Sequence, residues 1–141
     1  MMFKLHPRLA QDSFRIGHFP LCEVLLMNDA RYPWVILVPR RDDVSEIYQL
    51  DEHDQQQLMI ESSFVARQLS ELVHADKMNV AAIGNVVPQL HVHHVARYRG
   101  DETWPNPVWG KGESVPYSEQ ECAAVCQQLK TVFADLLQDG D

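Results

Sequence analysis

A continuous apolar run, Trp34-Val35-Ile36-Leu37-Val38, ends abruptly at Pro39. It is too short for a core helix, and much of it is β-branched. Runs of this kind are typical of a central strand that is buried on both faces. The run also lacks the alternation of apolar and polar residues that marks a strand with one solvent face. The sequence therefore predicts a sheet with this strand in its interior.

Shorter apolar segments on either side of this run predict the rest of the sheet. Two strands are expected before it, at 14–17 and 23–27. Two more are expected later in the chain, at 79–83 and 90–96, where the turn residues Gly84 and Asn85 and then Pro88 separate them. The segment 99–117 is rich in Gly and Pro and is expected to be a long loop, a feature that is often functional.

Two helices are predicted from caps and helical spacing. Asp51 can cap the first, which reaches about Val73 because apolar residues recur at Leu58, Val65, Leu69 and Leu72. A capping box of Ser118 and Glu121 starts the closing helix. The order of strands, helix, strands and helix favours an α+β fold with a mainly antiparallel sheet. No linker or repeat divides residues 1–141, so a single domain is expected.

Charge and composition exclude several classes of function. The chain has 12 Lys and Arg against 20 Asp and Glu, a formal net charge of −8, so binding to a nucleic acid polymer is not expected. No apolar stretch is long enough to span a membrane, and the N-terminus does not resemble a signal peptide. Three cysteines, Cys22, Cys122 and Cys126, are too few for a disulfide framework, which predicts a cytoplasmic location.

The densest group of chemically versatile residues is Gln89-Leu90-His91-Val92-His93-His94-Val95-Ala96. In a strand, alternate side chains share a face, so Gln89, His91 and His93 are expected together. Leu90, Val92, His94 and Ala96 form the opposite, mostly apolar face.

Spacing alone leaves three interpretations of His91 and His93 open. They could be ordinary exposed strand residues, two ligands of a metal site, or a nucleophile with a partner. A metal site needs a third ligand that the sequence does not supply nearby. The turn at Gly84 and Asn85 favours the nucleophile, because backbone N–H groups beside histidines can hold an anion.

The segment from Val87 to Val95 resembles the signature of the histidine triad (HIT) superfamily, His-φ-His-φ-His-φ-φ, where φ is apolar. The segment from Trp34 to Arg40 resembles the family's strand that ends in Pro and a basic residue. The predicted helices follow in family order, so the resemblance covers about residues 10 to 137. It is strongest to the branch that resembles bacterial diadenosine polyphosphate hydrolases.

This resemblance implies a five-stranded antiparallel sheet, usually a homodimer, and a hydrolase or transferase of nucleoside phosphates. His91 corresponds to the family's nucleophile and His93 to the histidine that contacts the phosphate and the leaving group. Gly84, Asn85 and Val86 correspond to the family's phosphate-binding stretch. The expected reaction is attack at the α-phosphate, with a nucleotidyl-histidine intermediate on His91 and with His93 as general acid. No metal or cofactor is expected.

The chain departs from the family pattern at several positions. Gln89 replaces the first histidine, Trp34 stands where many relatives have another histidine, and Val86 lacks the usual hydroxyl. The Gln89 amide is nevertheless expected to stabilise phosphate oxygens, and Gln89→His to retain or raise activity. His94 is interpreted as a covered or interface residue.

Three further residues are candidates for nucleotide binding. Asn28 or Asp29 could bind the ribose hydroxyls, although both also suit a turn. Trp109, together with Trp104, could stack on a base, although large aromatic residues also anchor loops. The alternative function is a non-catalytic protein that binds or senses a purine nucleotide.

Overall fold

Five strands form one antiparallel sheet in the order β1-β2-β3-β5-β4. The structure, a computed structural model, describes residues 3–138. The strands are β1 (Ser13–His18), β2 (Cys22–Met27), β3 (Trp34–Pro39), β4 (Lys77–Ala81) and β5 (Val92–Arg97). The helices are α1 (Pro7–Asp12), α2 (Glu52–Val73) and α3 (Glu119–Val132), with one 3-10 turn at Ile47–Gln49. The predicted α+β fold with an antiparallel sheet is confirmed.

Strand β3 lies inside the sheet, as its apolar run predicts. It pairs with β2 on one side and with β5 on the other, and all six of its residues are buried. Its register places Ile36 opposite His93 and Trp34 opposite Val95. The strand therefore brings Trp34 and Ile36 close to the histidine segment.

Helix α2 covers one face of the sheet. Its cap is the predicted one, because the Asp51 side chain accepts a hydrogen bond from the backbone N–H of Asp54. It ends at His74, whose φ of 54° is left-handed and stops the helix. The apolar residues of α2 pack with alternate residues of β5 in a hydrophobic cluster that includes Leu58, Val65, Leu69, Leu90, Val92 and Ala96.

A second hydrophobic cluster lies on the opposite face of the sheet. It contains Trp34, Ile36 and Val95 from the sheet, Leu9 from α1, and Val108 from the long loop. Val92 and Ala96 belong to the first cluster and Val95 to the second, so the even-numbered and odd-numbered residues of β5 lie on opposite faces of the sheet, as predicted. His91 and His93 belong to the face that α1 and the loop cover.

Beyond differences of one residue at the ends of β1, β2 and β3, the structure differs from the sequence-based prediction in one helix and two strands. Helix α1 was not predicted, because six residues are too few to show a helical period. Strand β4 spans Lys77–Ala81 rather than 79–83. Strand β5 begins at Val92 rather than at Leu90, because the Leu90 N–H donates to the carbonyl of Val44 in a loop.

Helix α3 begins at the predicted capping box, in which Ser118 and Glu121 bond each other's backbone N–H groups. The Sγ atoms of Cys122 and Cys126 lie 3.8 Å apart, as expected for one helix face. Among the described residues 3–138, no helix has the length and apolarity to cross a membrane.

Candidate active site

A cavity of about 310 Å³ opens beside the two histidines on the face covered by α1. The sheet supplies Met27, Trp34 and Ile36, and the turn before β5 supplies Gly84 and Asn85. The other lining residues are Arg8, Leu9, Asp12, Ser13, Ile83, Val86, Val87, His91, His93 and Trp109. The lining is mixed: apolar and aromatic side chains form much of it, and Arg8, Asp12, Ser13 and Asn85 are its polar members besides the histidines.

His91 is held by its own backbone. Its Nδ1 lies 2.8 Å from the carbonyl oxygen of Gln89, and only 6% of the residue is exposed. A carbonyl oxygen accepts hydrogen bonds, so Nδ1 carries the proton and Nε2 keeps its lone pair. Within residues 3–138, Nε2 has no hydrogen-bond partner. This tautomer is the one that a nucleophilic imidazole needs.

His93 is held by a side chain of β3. The indole Nε1 of Trp34 donates a hydrogen bond of 3.0 Å to its Nδ1. Burial, with smaller contributions from the neighbouring His91 and His94, lowers the pKa of His93 to about 3. His93 is therefore neutral at physiological pH.

Aromatic rings form one wall of the cavity. The rings of His91 and His93 meet edge to face with centroids 4.9 Å apart. Trp109 contacts His93 at 5.5 Å and Trp34 at 6.0 Å, also edge to face. Trp109 thus lines the cavity, whereas Trp104 lies over the guanidinium of Arg97 and anchors the loop.

The turn at 84–87 lines the cavity next to His91. Gly84 has a φ of 67°, a left-handed conformation that favours glycine. In the part of the chain that the structure describes, the N–H groups of Gly84, Asn85 and Val86 form no hydrogen bond to another residue. A turn whose N–H groups have no partner within the described residues is compatible with the anion site expected at Gly84 and Asn85.

Gln89 does not line this cavity, in contrast to its predicted place beside His91 and His93. Its Oε1 accepts a hydrogen bond from the N–H of His6, and its Nε2 donates to the carbonyl of Lys4. The extended strand geometry assumed for the prediction begins only at Val92. The Gln89 amide therefore binds the N-terminal segment instead of a phosphate.

Asn28 and Asp29 also lie outside the cavity lining. The Asn28 side chain accepts from the N–H of Tyr117, and the buried Asp29 carboxylate pairs with the guanidinium of Arg31. Both residues tie the turn before β3 to the long loop, which agrees with the turn-forming alternative.

Sequence reasoning missed the contribution of α1 to the site. Arg8, Leu9 and Asp12 line the cavity, and Arg8 and Asp12 pair with each other at 3.0 Å. The available signal was Pro7, which is favoured at the first position of a helix. The segment lacks the length that would have made this signal decisive.

His94 lies on the opposite face and is fully buried. Its ring bonds the Ser62 hydroxyl at 2.7 Å and the Val35 carbonyl at 3.2 Å. Burial lowers the pKa of His94 to about 4. His94 is therefore a packed core residue, in agreement with its interpretation as a covered histidine.

A group of metal-ligand atoms occurs elsewhere, at Asp51, His53 and Asp54, within 4.8 Å of one another. Asp51 already caps α2, and Asp54 pairs with Arg41. Because these carboxylates have protein partners, the group is explained by the start of the helix.

The chain is similar, in sequence and in structure, to proteins of one family. The family model described as HIT domain matches residues 8–100. No curated protein matches the sequence significantly. A histidine triad protein from Marinobacter aquaeolei VT8 is 53% identical and has a TM-score of 0.94, over 96% of this chain and 99% of that chain.

Two other solved structures are similarly close. A histidine triad protein from Bradyrhizobium japonicum is 49% identical with a TM-score of 0.89, over 92% of this chain and 96% of that chain. A histidine triad (HIT) protein from Sinorhizobium meliloti 1021 is 44% identical with a TM-score of 0.90, over the same shares of 92% and 96%.

Proposed function

This chain belongs to the HIT domain family, and we propose that it is a nucleotide hydrolase or nucleotidyl transferase acting at the α-phosphate of a nucleoside phosphate. The proposed substrates are dinucleoside polyphosphates and nucleoside phosphoramidates. The observation that carries the proposal is the hydrogen bond from Nδ1 of His91 to the Gln89 carbonyl. It leaves the Nε2 lone pair of His91 free to act as a nucleophile beside an anion-binding turn.

In the proposed reaction, Nε2 of His91 attacks the α-phosphorus and forms an N–P bond. The bond from phosphorus to the leaving group breaks, and the leaving group takes the electron pair; a departing amine also takes a proton from solvent water. Water then hydrolyses the nucleotidyl-histidine, which releases the nucleoside monophosphate and regenerates the imidazole. Two steps with a covalent intermediate replace one difficult displacement.

Hydrogen-bond donors stabilise the charge on the phosphate oxygens in this scheme. We assign this role to the N–H groups of Gly84, Asn85 and Val86, residues that line the cavity with His91. We assign His93 the role of a neutral hydrogen-bond donor through Nε2, in place of the general acid expected from the sequence. To act as a general acid, His93 would have to be an imidazolium, which has a proton on both ring nitrogens. Its Nδ1 cannot take that proton while the indole N–H of Trp34 points at it.

The apolar part of the cavity suits the base of a purine nucleotide. Leu9, Met27 and Ile36 lie around it, and Trp34 and Trp109 offer aromatic surfaces. Aromatic and apolar side chains bury a flat base at low entropic cost. Asn28 and Asp29, the residues expected at the ribose, have partners in the long loop and in Arg31 and lie outside the cavity lining, so we do not assign them a contact with the nucleotide.

The test is release of AMP from an adenosine phosphoramidate and from diadenosine polyphosphates. The wild-type protein should release AMP from at least one of them, and His91→Asn should lower the rate by about 10³-fold or more. The matched control is His53→Gln, which removes an imidazole with an 86% exposed side chain on α2 and should leave the rate unchanged. Tight AMP binding without turnover of any of these substrates would instead support the alternative, a nucleotide-binding or sensor protein.

We further propose that the protein is a homodimer that pairs through β4. This strand lies at one edge of the sheet, and Val80 on it is 50% exposed. Val86 beyond the strand and Met59 and Ile60 on α2 are also exposed apolar residues. An open edge with apolar neighbours favours pairing with another chain.

Sedimentation equilibrium tests this assembly. Val80→Lys should convert the dimer into a monomer, whereas Val115→Lys, at a residue that is 49% exposed on the long loop, should not. A monomeric wild-type protein at micromolar concentration would contradict the proposal.

A further inference from the structure

Trp34 and His93 form a buried nitrogen-to-nitrogen hydrogen bond. The two residues are 5% and 7% exposed, and Trp34 Nε1 lies 3.0 Å from His93 Nδ1. Their ring planes are inclined at 62° with centroids 5.7 Å apart, so the contact joins ring edges rather than stacked faces. An indole nitrogen can donate but cannot accept a hydrogen bond. The bond therefore permits only one neutral form of His93, with the proton on Nε2.

The two cavity histidines consequently have opposite tautomers. His91 has its proton on Nδ1, which the Gln89 carbonyl holds, and its lone pair on Nε2. His93 has its lone pair on Nδ1, which Trp34 holds, and its proton on Nε2. Since the ring centroids are 4.9 Å apart, the pair offers one hydrogen-bond acceptor and one hydrogen-bond donor to the same group of a ligand.

We propose that Trp34 is a positioning residue that holds His93 in the Nε2–H tautomer, so that His93 always presents a hydrogen-bond donor beside the lone pair of His91. A histidine or glutamine in place of Trp34 could either donate or accept and would allow both tautomers of His93. The contact of His93 with a phosphate rests on the proposed function, whereas the tautomer itself does not.

The charged and titratable groups around His93 are few. His91 and His94 belong to its own segment, and both disfavour a positive charge on it. Helix α1 contributes Arg8 and Asp12 to the same cavity, and these two pair with each other. Strand β3 and the long loop contribute the uncharged Trp34 and Trp109. Trp34 is therefore the neighbour that decides where the proton of neutral His93 lies.

Nitrogen-15 NMR of the ligand-free protein tests the tautomer directly. The wild-type spectrum should show Nδ1 of His93 without a proton and Nε2 with one, unchanged from pH 8 to pH 5. The indole proton of Trp34 should be shifted downfield and should exchange slowly with solvent. A wild-type His93 that carries its proton on Nδ1, or that is charged at pH 6, would overturn the inference.

Trp34→Phe removes the indole donor and keeps an aromatic ring. In this variant we expect both tautomers of His93 to be populated and its titration midpoint to rise by about one pH unit, because Nδ1 can now accept a proton. The matched control is Trp109→Phe, which removes an indole that contacts the same ring without a hydrogen bond to it. Equal midpoints in Trp34→Phe and the wild type would overturn the inference.

Steady-state kinetics of the same variants separate positioning from simple packing. Trp34→Phe should lower kcat by about tenfold or less with little change in KM, because the donor is needed more in the transition state than in the bound substrate. An increase in KM alone would assign Trp34 to substrate binding and overturn its positioning role. If the wild-type protein turns over no nucleotide, the proposed function is wrong. The NMR experiment then still decides whether Trp34 fixes the tautomer of His93, because it uses the ligand-free protein.

Discussion

Nδ1 of His91 lies 2.8 Å from the carbonyl oxygen of Gln89, two residues earlier in the chain. The side chain of Gln89 is fixed in turn by two backbone groups of the N-terminal segment, the N–H of His6 and the carbonyl of Lys4. The residue that orients the proposed nucleophile is therefore itself held by the segment before α1.

The first prediction concerns Gln89. The sequence suggested that Gln89→His would retain or raise activity, but an imidazole cannot reproduce an amide that accepts from His6 and donates to Lys4. We expect Gln89→His and Gln89→Ala to lower the free energy of unfolding by about 1–2 kcal/mol, the value of two hydrogen bonds. Hydrogen exchange at the N–H of His6 should accelerate in both variants.

The control for this prediction is Gln127→Ala on α3, an exposed glutamine whose loss should change neither quantity. Unchanged exchange at His6 in Gln89→Ala would show that the Gln89 amide does not hold the N-terminal segment in solution.

The second prediction concerns the role of His93. A neutral donor to phosphate oxygens acts on every substrate, whereas a general acid matters most for poor leaving groups. We expect His93→Asn to lower kcat by about 10²-fold, as for loss of one oxyanion donor, and by a similar factor across a series of leaving groups. Losses that grow steeply with the pKa of the leaving group would restore the general-acid role.

The third prediction concerns Asp29. Its carboxylate accepts hydrogen bonds from the side chain and the backbone N–H of Arg31 and from the N–H of Val115. Asp29→Asn leaves the Arg31 guanidinium with only the exposed Glu102 carboxylate, 3.6 Å away, as its counter-ion, so unfolding should become easier by about 1–3 kcal/mol. Urea denaturation measures this loss, and KM for the nucleotide should stay within about twofold of the wild-type value. A raised KM at unchanged stability would return Asp29 to the ribose site.

Local sequence patterns were sufficient to predict helix α2 and strand β3. Helix α2 was predicted to the residue at its start, because Asp51 is a cap and the apolar period extends over many turns. The buried strand β3 was predictable because an uninterrupted apolar run of that length is typical of a strand buried on both faces. Periodicity and caps are local properties, so one sequence is enough to reveal them.

Long-range contacts could not be predicted in the same way. The partners of Gln89 lie 83 and 85 residues away at His6 and Lys4, and the partner of His93 lies 59 residues away at Trp34. The sequence identified His91 and His93 as a chemical pair, but it did not reveal what fixes their tautomers. Those assignments required the sheet register and the fold of the N-terminal segment.

The fourth prediction concerns stability against acid. The pKa of His93 is lowered to about 3 and that of His94 to about 4, from an ordinary value of 6.5. Between pH 4 and pH 6.5 the unfolded chain therefore binds more protons than the folded protein. The contribution of the two neutral rings to stability is complete above pH 6.5 and declines as the pH falls toward 4.

Urea denaturation at a series of pH values should show a free energy of unfolding that rises with pH across this window. The slope should correspond to the uptake of up to about two protons on unfolding. His94→Gln removes one titrating ring, so the number of protons taken up on unfolding should fall by about one. A wild-type stability that is flat from pH 4.5 to pH 6.5 would show that the buried histidines are charged in the folded state.

The fifth prediction tests the central claim, which is the covalent role of His91. The protein is mixed with an adenosine phosphoramidate, quenched in alkali during turnover because phosphorus-to-imidazole bonds are labile in acid, and digested for mass spectrometry. The account predicts an adenylyl group on the peptide that contains His91 to His94, localised by fragmentation to His91, and its absence in His91→Asn. AMP release by the wild-type protein with no adduct, or with the adduct on His93, would contradict the account.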